Sequence, residues 1–132
     1  ASDNTNVSLR TPLTAGAQQF VQSGVIITGT SPVLNPSSLS LLGEGQTNLS
    51  LIRLKVRYWN YQTNDWEDVS DIAAPLNVDG TTLASPVGGL SRFVNQGNGE
   101  VKAAVFFEKN NALPASAAWA SSIDHTRWFV AP

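Results

Sequence analysis

The sequence predicts an all-β protein, a single antiparallel β-sandwich of jelly-roll type with about eight strands. Three observations carry that prediction. Apolar and polar residues alternate with a period of two along the two long segments 51–61 and 100–109. Clusters of Gly, Pro, Asn and Asp punctuate the chain so closely that no helix longer than a turn fits between them. With 132 residues, 42% of them hydrophobic, the chain suffices for one domain with its own core, and neither a repeat nor a shift in composition marks a second.

Taken in order, residues 1–12 read as a polar N-terminal arm or first strand, with a strand-like patch at Val7-Ser8-Leu9, and residues 13–132 as the sandwich. Strands are expected around Phe20–Ile27, Leu39–Leu42 and Thr81–Ser85, separated by breakers that include Gly29, Pro32, Pro36, Gly43, Gly45, Pro75 and Gly80. The clearest strand is Leu51–Tyr61. Ile52, Leu54, Val56 and Tyr58 fall on one face, and Arg53, Lys55, Arg57, Trp59 and Tyr61 on the other. Gln62-Thr63-Asn64-Asp65 supplies turn chemistry, and Trp66–Ser70 reads as the returning strand of a hairpin. Leu90–Val94 allows one helical turn.

Asn95–Gly99 is a turn with two glycines, and it leads into Glu100–Lys109. There Val101, Ala103, Val105 and Phe107 oppose Lys102, Ala104, Phe106 and Glu108. Ala112–Ala120, interrupted by Pro114, reads as a long loop or a single helical turn. Ser121–Val130 is the last strand, and its apolar register is clear only at its end. The expected core is Ile52, Leu54, Val56, Val101, Ala103, Val105 and Phe107, with Phe93 and Trp128 closing its ends.

Charge is sparse, 14% of residues for a net −2, so there is no basic excess for a phosphate backbone. No apolar run approaches the roughly 20 residues that a membrane-spanning helix needs. The absence of Cys removes disulfides, thiolate nucleophiles and thiolate metal sites. Met is absent too, which removes the other readily oxidised side chain. Ala1-Ser2-Asp3 reads as a start left by signal-peptide cleavage, so a secreted or cell-surface location is expected.

Five short motifs occur in order: Trp59-Asn60-Tyr61, Trp66-Glu67-Asp68-Val69, Ser91-Arg92-Phe93-Val94, Gly97-Asn98-Gly99-Glu100-Val101-Lys102-Ala103 and Ser122-Ile123-Asp124-His125-Thr126-Arg127-Trp128. The series resembles a β-sandwich module that recurs near the C-termini of exported proteins of planctomycete-type bacteria. Ser31-Pro32 and Pro36-Ser37 fit the early half of that module. The resemblance implies a sandwich fold and an exported protein, but it brings no activity that could be assigned to residues. The basic face Arg53-Lys55-Arg57 departs from it.

No catalytic constellation emerges. His125 is the single histidine, and Asp124 beside it on a strand points to the opposite face, where it cannot orient the imidazole. One His and no Cys leave no zinc site. No cofactor is expected, calcium at Asp65, Glu67, Asp68 and Asp71 being a weaker alternative whose spacing falls short of an EF-hand.

The aromatic residues Trp59, Tyr61 and Trp66, with Arg57, are the candidate binding residues. They allow three readings: a platform for sugar rings, cross-strand pairs that stiffen an outer face, or a subunit contact. Together with the arm residues Val7 and Leu9, which could complete a neighbour's sheet, they lead to a non-enzymatic extracellular structural or interaction module. In its sharpest form that module is a self-assembling surface or filament subunit joined by strand addition, with itself or another extracellular protein as partner. The alternative is a carbohydrate-binding module that takes a polysaccharide on the 58–66 hairpin. Neither reading involves nucleic acid or a membrane span.

Overall fold

A computed structural model describes residues 7–11, 22–49, 52–109 and 119–132. They form eight strands: β1 (Val7–Thr11), β2 (Gln22–Thr30), β3 (Ser38–Thr47), β4 (Ile52–Asn60), β5 (Asp65–Ala73), β6 (Gly80–Ala84), β7 (Glu100–Lys109) and β8 (Trp119–Ala131). A single 3-10 turn, Leu90–Phe93, lies between β6 and β7. One sheet has the order β1-β8-β3-β6 and the other β2-β7-β4-β5. The antiparallel pairs are nested along the chain, first strand with last, second with seventh, third with sixth and fourth with fifth. That nesting is the jelly-roll topology.

β4 shows why the alternation was informative. Ile52, Leu54, Val56 and Tyr58 are each 4% exposed or less, and every intervening side chain is half-buried. Across from them Val101, Ala103, Val105 and Phe107 of β7 are equally buried, so the expected core residues of both strands lie between the sheets. Tyr58 meets Phe93 and Trp128 edge-on, both at 5.3 Å, and its hydroxyl donates to the Ala84 carbonyl at 2.6 Å. This bond ties β4 to β6 of the opposite sheet and satisfies a polar atom deep in the core.

Three expectations need correcting. Gly43 and Gly45 do not break a strand: they lie on the inward face of β3, which runs on to Thr47. Gly29 likewise sits within β2, where a Cβ would come 2.7 Å from the Trp128 ring. Gly29 and Gly45 make room for close neighbours rather than turning the chain. Tyr61 does not continue β4 but opens the turn to β5, in which Asn60 Oδ1 accepts from the Gln62 and Thr63 amides (2.8 and 3.1 Å) and Asn64 takes φ 55°.

Trp119 and Ala120 belong to β8, whereas the remainder of the loop expected at 112–120 lies outside the described residues, as do Phe20 and Leu51. The other strand positions agree to within a few residues at their ends. β8 carries a bulge. Glu44 opposes His125 while Gly45 opposes Ile123, so Asp124 is the extra residue. Before it Ser121 and Ile123 point inward, and after it Trp128 and Val130 pack on the core.

Candidate functional site

The outer face of the β2-β7-β4-β5 sheet gathers most of the predicted site. Register places Arg57 between Asp68 of β5 and Ala104 of β7, with Ile26 of β2 next in the row. Trp59 opposes Trp66 directly. A bulge in β5 at Val69 sets this arrangement: Val56 opposes Ser70 but Arg57 opposes Asp68. The shift turns Val69 toward the core and brings Trp66 and Asp68 onto the same outer face as Asp71.

Trp59 and Trp66 meet edge to face, with centroids 5.2 Å apart at 77°, and both stay partly exposed. The Lys102 ammonium lies 4.8 Å from the centre of the Trp59 ring and 5.9 Å from that of Trp66. The Arg57 guanidinium stacks on Phe106 at 5.0 Å, which is why Phe106 is 7% exposed although it points outward. Arg57 Nε donates to Asp68 Oδ1 at 2.6 Å, and the two terminal amino groups of Arg57 make no hydrogen bond among the described residues. Two further ion pairs brace the face, Arg53–Asp71 at 2.9 Å and Lys55–Glu108 at 2.7 Å. Glu108 in turn holds the Lys55 ammonium pKa above its usual range.

Between these side chains runs an open groove of about 280 Å³ that crosses all four strands. Gly24, Val25 and Ala104 keep its lining low, while Trp66, Arg57, Ile26 and Phe106 rise around it. Gly24 has no room for a side chain, because a Cβ there would come 2.4 Å from that of Phe106.

Of the predicted site residues, then, Arg57 and Trp66 line the groove and Trp59 supports Trp66. Tyr61 does not line it. Its hydroxyl donates to Glu100 Oε1 at 2.7 Å, and burial together with that carboxylate pushes the phenol pKa up. Nearby, Glu67 accepts Arg92 Nη2 at 2.8 Å, Arg92 Nε at 3.1 Å and Asn60 Nδ2 at 3.2 Å. The Arg92 guanidinium holds the Glu67 carboxyl below its usual range, and Arg92 also binds the Gly89 and Val87 carbonyls. These residues fix the turns at one end of the sandwich.

The carboxylates weighed as calcium ligands are engaged within the chain: Glu67 with Arg92, Asp68 with Arg57, Asp71 with Arg53, and Asp65 with the Trp66 amide. A different set, Glu44, Asp79 and Asp124, brings one ligand atom each within 4.8 Å of the others, with Gln46 donating to Asp79 at 3.0 Å. His125 lies in the other sheet, opposite Glu44. The arm residues Val7 and Leu9 pair in cis, opposite Ile123 and Ser121 of β8.

Sequence reasoning missed Gly24, Ile26, Ala104 and Phe106. Alternation put Phe106, Ala104 and Lys102 on one face, but nothing in the sequence announces that β2 and β4 flank β7.

No protein-family model matches the chain, and no curated protein matches it. Solved structures share its fold. A family-61 carbohydrate-binding module in complex with β-1,4-galactotriose is 10% identical, with a TM-score of 0.54 over 95% of this chain and 68% of that one. A family-4 carbohydrate-binding module is 11% identical, with a TM-score of 0.50 over 95% and 94% of the two chains. A chain of the infectious bursal disease virus Gx strain is 12% identical, with a TM-score of 0.53 over 98% of this chain but 30% of the viral one.

Proposed function

We propose that the chain is a carbohydrate-binding module, not an enzyme, which holds a polysaccharide across the outer face of the β2-β7-β4-β5 sheet. The observation that carries this reading is the placement of Trp66, backed edge-on by Trp59, on the wall of a solvent-open groove rather than in the core. An aromatic ring there can pack on the C–H face of a pyranose, while the open amino groups of Arg57 donate to ring substituents. A groove that crosses four strands spans roughly 14 Å, room for a stretch of chain rather than a single sugar.

The acids on this face support the non-catalytic part. Asp68, Asp71 and Glu108 are each tied up in an ion pair with a cation of the same face, rather than set as a pair of carboxyls across the groove. The fold likeness to two carbohydrate-binding modules agrees with the reading. Over a self-assembling subunit it is favoured by β1, which forms its ladder with β8 of the same chain. The proposal includes action outside the cell, in keeping with the resemblance to exported bacterial modules, and needs no cofactor.

Affinity electrophoresis through gels containing plant, algal and bacterial polysaccharides tests it. At least one gel should retard the protein, and Trp66→Ala should migrate freely there. Free migration of the unaltered protein in every gel, or equal retardation of the variant, overturns the proposal.

A further inference from the structure

We infer that this platform selects an acidic glycan, one whose sugar bears a carboxylate or a sulfate, and that Lys102 is the residue that decides it. The inference rests on the carbohydrate-binding reading above. Four cations stand on the outer face of the sheet. Arg53, Lys55 and Arg57 each hold a carboxylate, at 2.9, 2.7 and 2.6 Å. Lys102 holds none among the described residues, and its ammonium rests instead over the Trp59 and Trp66 rings.

Position makes this surplus cation relevant to a ligand. Lys102 is two residues from Ala104 on the same strand and the same face, so it flanks the groove lining beside Trp66. From the neighbouring strand Arg57, stacked on Phe106, lines the same groove, its Nε fixed on Asp68 and its Nη1 and Nη2 without acceptors among the described residues. Both groups are donors only, and an acceptor-only substituent such as a carboxylate or sulfate is their chemical complement. A neutral hydroxyl brings no charge to these donors, whereas an anion supplies the counter-charge that Lys102 lacks among the described residues.

The acids that face this point are already engaged. Asp68 is held by Arg57 Nε, Glu100 accepts the Tyr61 hydroxyl at 2.7 Å, and Glu108 holds Lys55. An anionic sugar stacked on Trp66 therefore has the Lys102 ammonium beside it, 5.9 Å from the centre of that ring, and no acid on this face is left without a bonding partner.

Titration calorimetry at low salt decides the matter with matched pairs. An oligogalacturonate is compared with its carboxyl-reduced counterpart, and a sulfated galactan oligosaccharide with its desulfated form, so that ring, linkage and length stay constant. At least one acidic member should bind about tenfold tighter than its neutral partner, the advantage shrinking as salt is added. The pair that discriminates identifies the anion. In Lys102→Gln the ratio should fall close to one, and Lys102→Arg should restore most of it. Equal binding within both pairs, or a ratio that Lys102→Gln leaves intact, overturns the inference while the carbohydrate-binding reading stands. If no member of either pair and no neutral polysaccharide binds, both fall.

Discussion

The two sheets present opposite kinds of outer face. On β2-β7-β4-β5, three cross-strand ion pairs and an indole pair lock neighbouring side chains into one arrangement. On β1-β8-β3-β6, Leu42 lies between Leu83 and Arg127, Ser40 shares a hydrogen bond with Ser85 at 2.8 Å, and Arg127 covers Phe129 at 4.9 Å. On that second face Leu83 and Phe129 are 57% and 42% exposed. The difference lies in preorganisation rather than in stability. Exposed ion pairs contribute about 0–1 kcal/mol each, yet they hold Arg57 and its neighbours in one geometry before any ligand arrives.

Both faces rest on one core, and removing part of it should break them together. Phe107 is fully buried, so Phe107→Ala should cost about 3–5 kcal/mol in a denaturant titration and weaken binding only through loss of folded protein. A more specific contrast comes from aromatic truncation on each face. Trp66→Ala should weaken polysaccharide binding by about 2 kcal/mol, roughly 30-fold, in calorimetry, whereas Phe129→Ala should leave affinity unchanged. Equal losses at both positions would erase the asymmetry.

A smaller effect should appear at the Arg92–Glu67 pair, which anchors the turn at the end of the braced sheet. Arg92→Ala should cost about 1 kcal/mol, moderated because the Glu67 side chain is 39% exposed. Its pH dependence has a definite sign. Arg92 lowers the folded-state pKa of Glu67 below the ordinary 4.5, so the stabilisation is complete above that pH and is lost as pH falls through the lowered value. Thermal melts of the wild type should therefore drop more steeply than those of Glu67→Gln between about pH 5 and pH 3. The smallest effect is a gain. A Cβ on Gly43 would meet nothing within 4 Å, and the residue borders a gap of about 10 Å³ with Leu41, Leu54 and Phe107. Gly43→Ala should add about 0.5–1 kcal/mol of stability without touching the groove.

How much of this was legible in the sequence depended on whether a strand kept one phase. β4 and β7 alternate without interruption on the inward side, and their core residues could be read directly. β8 could not be read this way, because the bulge at Asp124 moves its inward set from Ser121 and Ile123 to Trp128 and Val130. β3 was seen only in part, since Gly43 and Gly45 look like breakers until Ser122 is known to pack 2.5 Å from where a Gly45 Cβ would be. In the site, Trp59, Trp66 and Arg57 were legible because one hairpin carries them. The rest of the groove comes from β2 and β7, and which strands become neighbours is a property of the whole topology rather than of any local pattern.

The edge-to-face contact of Trp59 and Trp66 has an optical consequence. Two indoles 5.2 Å apart at 77° are close enough for their electronic transitions to couple, and the pair forms a chiral chromophore at the groove wall. Trp128, packed against Tyr58, is a third indole that a ligand in the groove does not touch. Circular dichroism in the indole bands thus contains a component whose sign and size follow the angle between Trp59 and Trp66. Under the proposed function, a change in that component on adding a polysaccharide would report occupancy of the groove without a label.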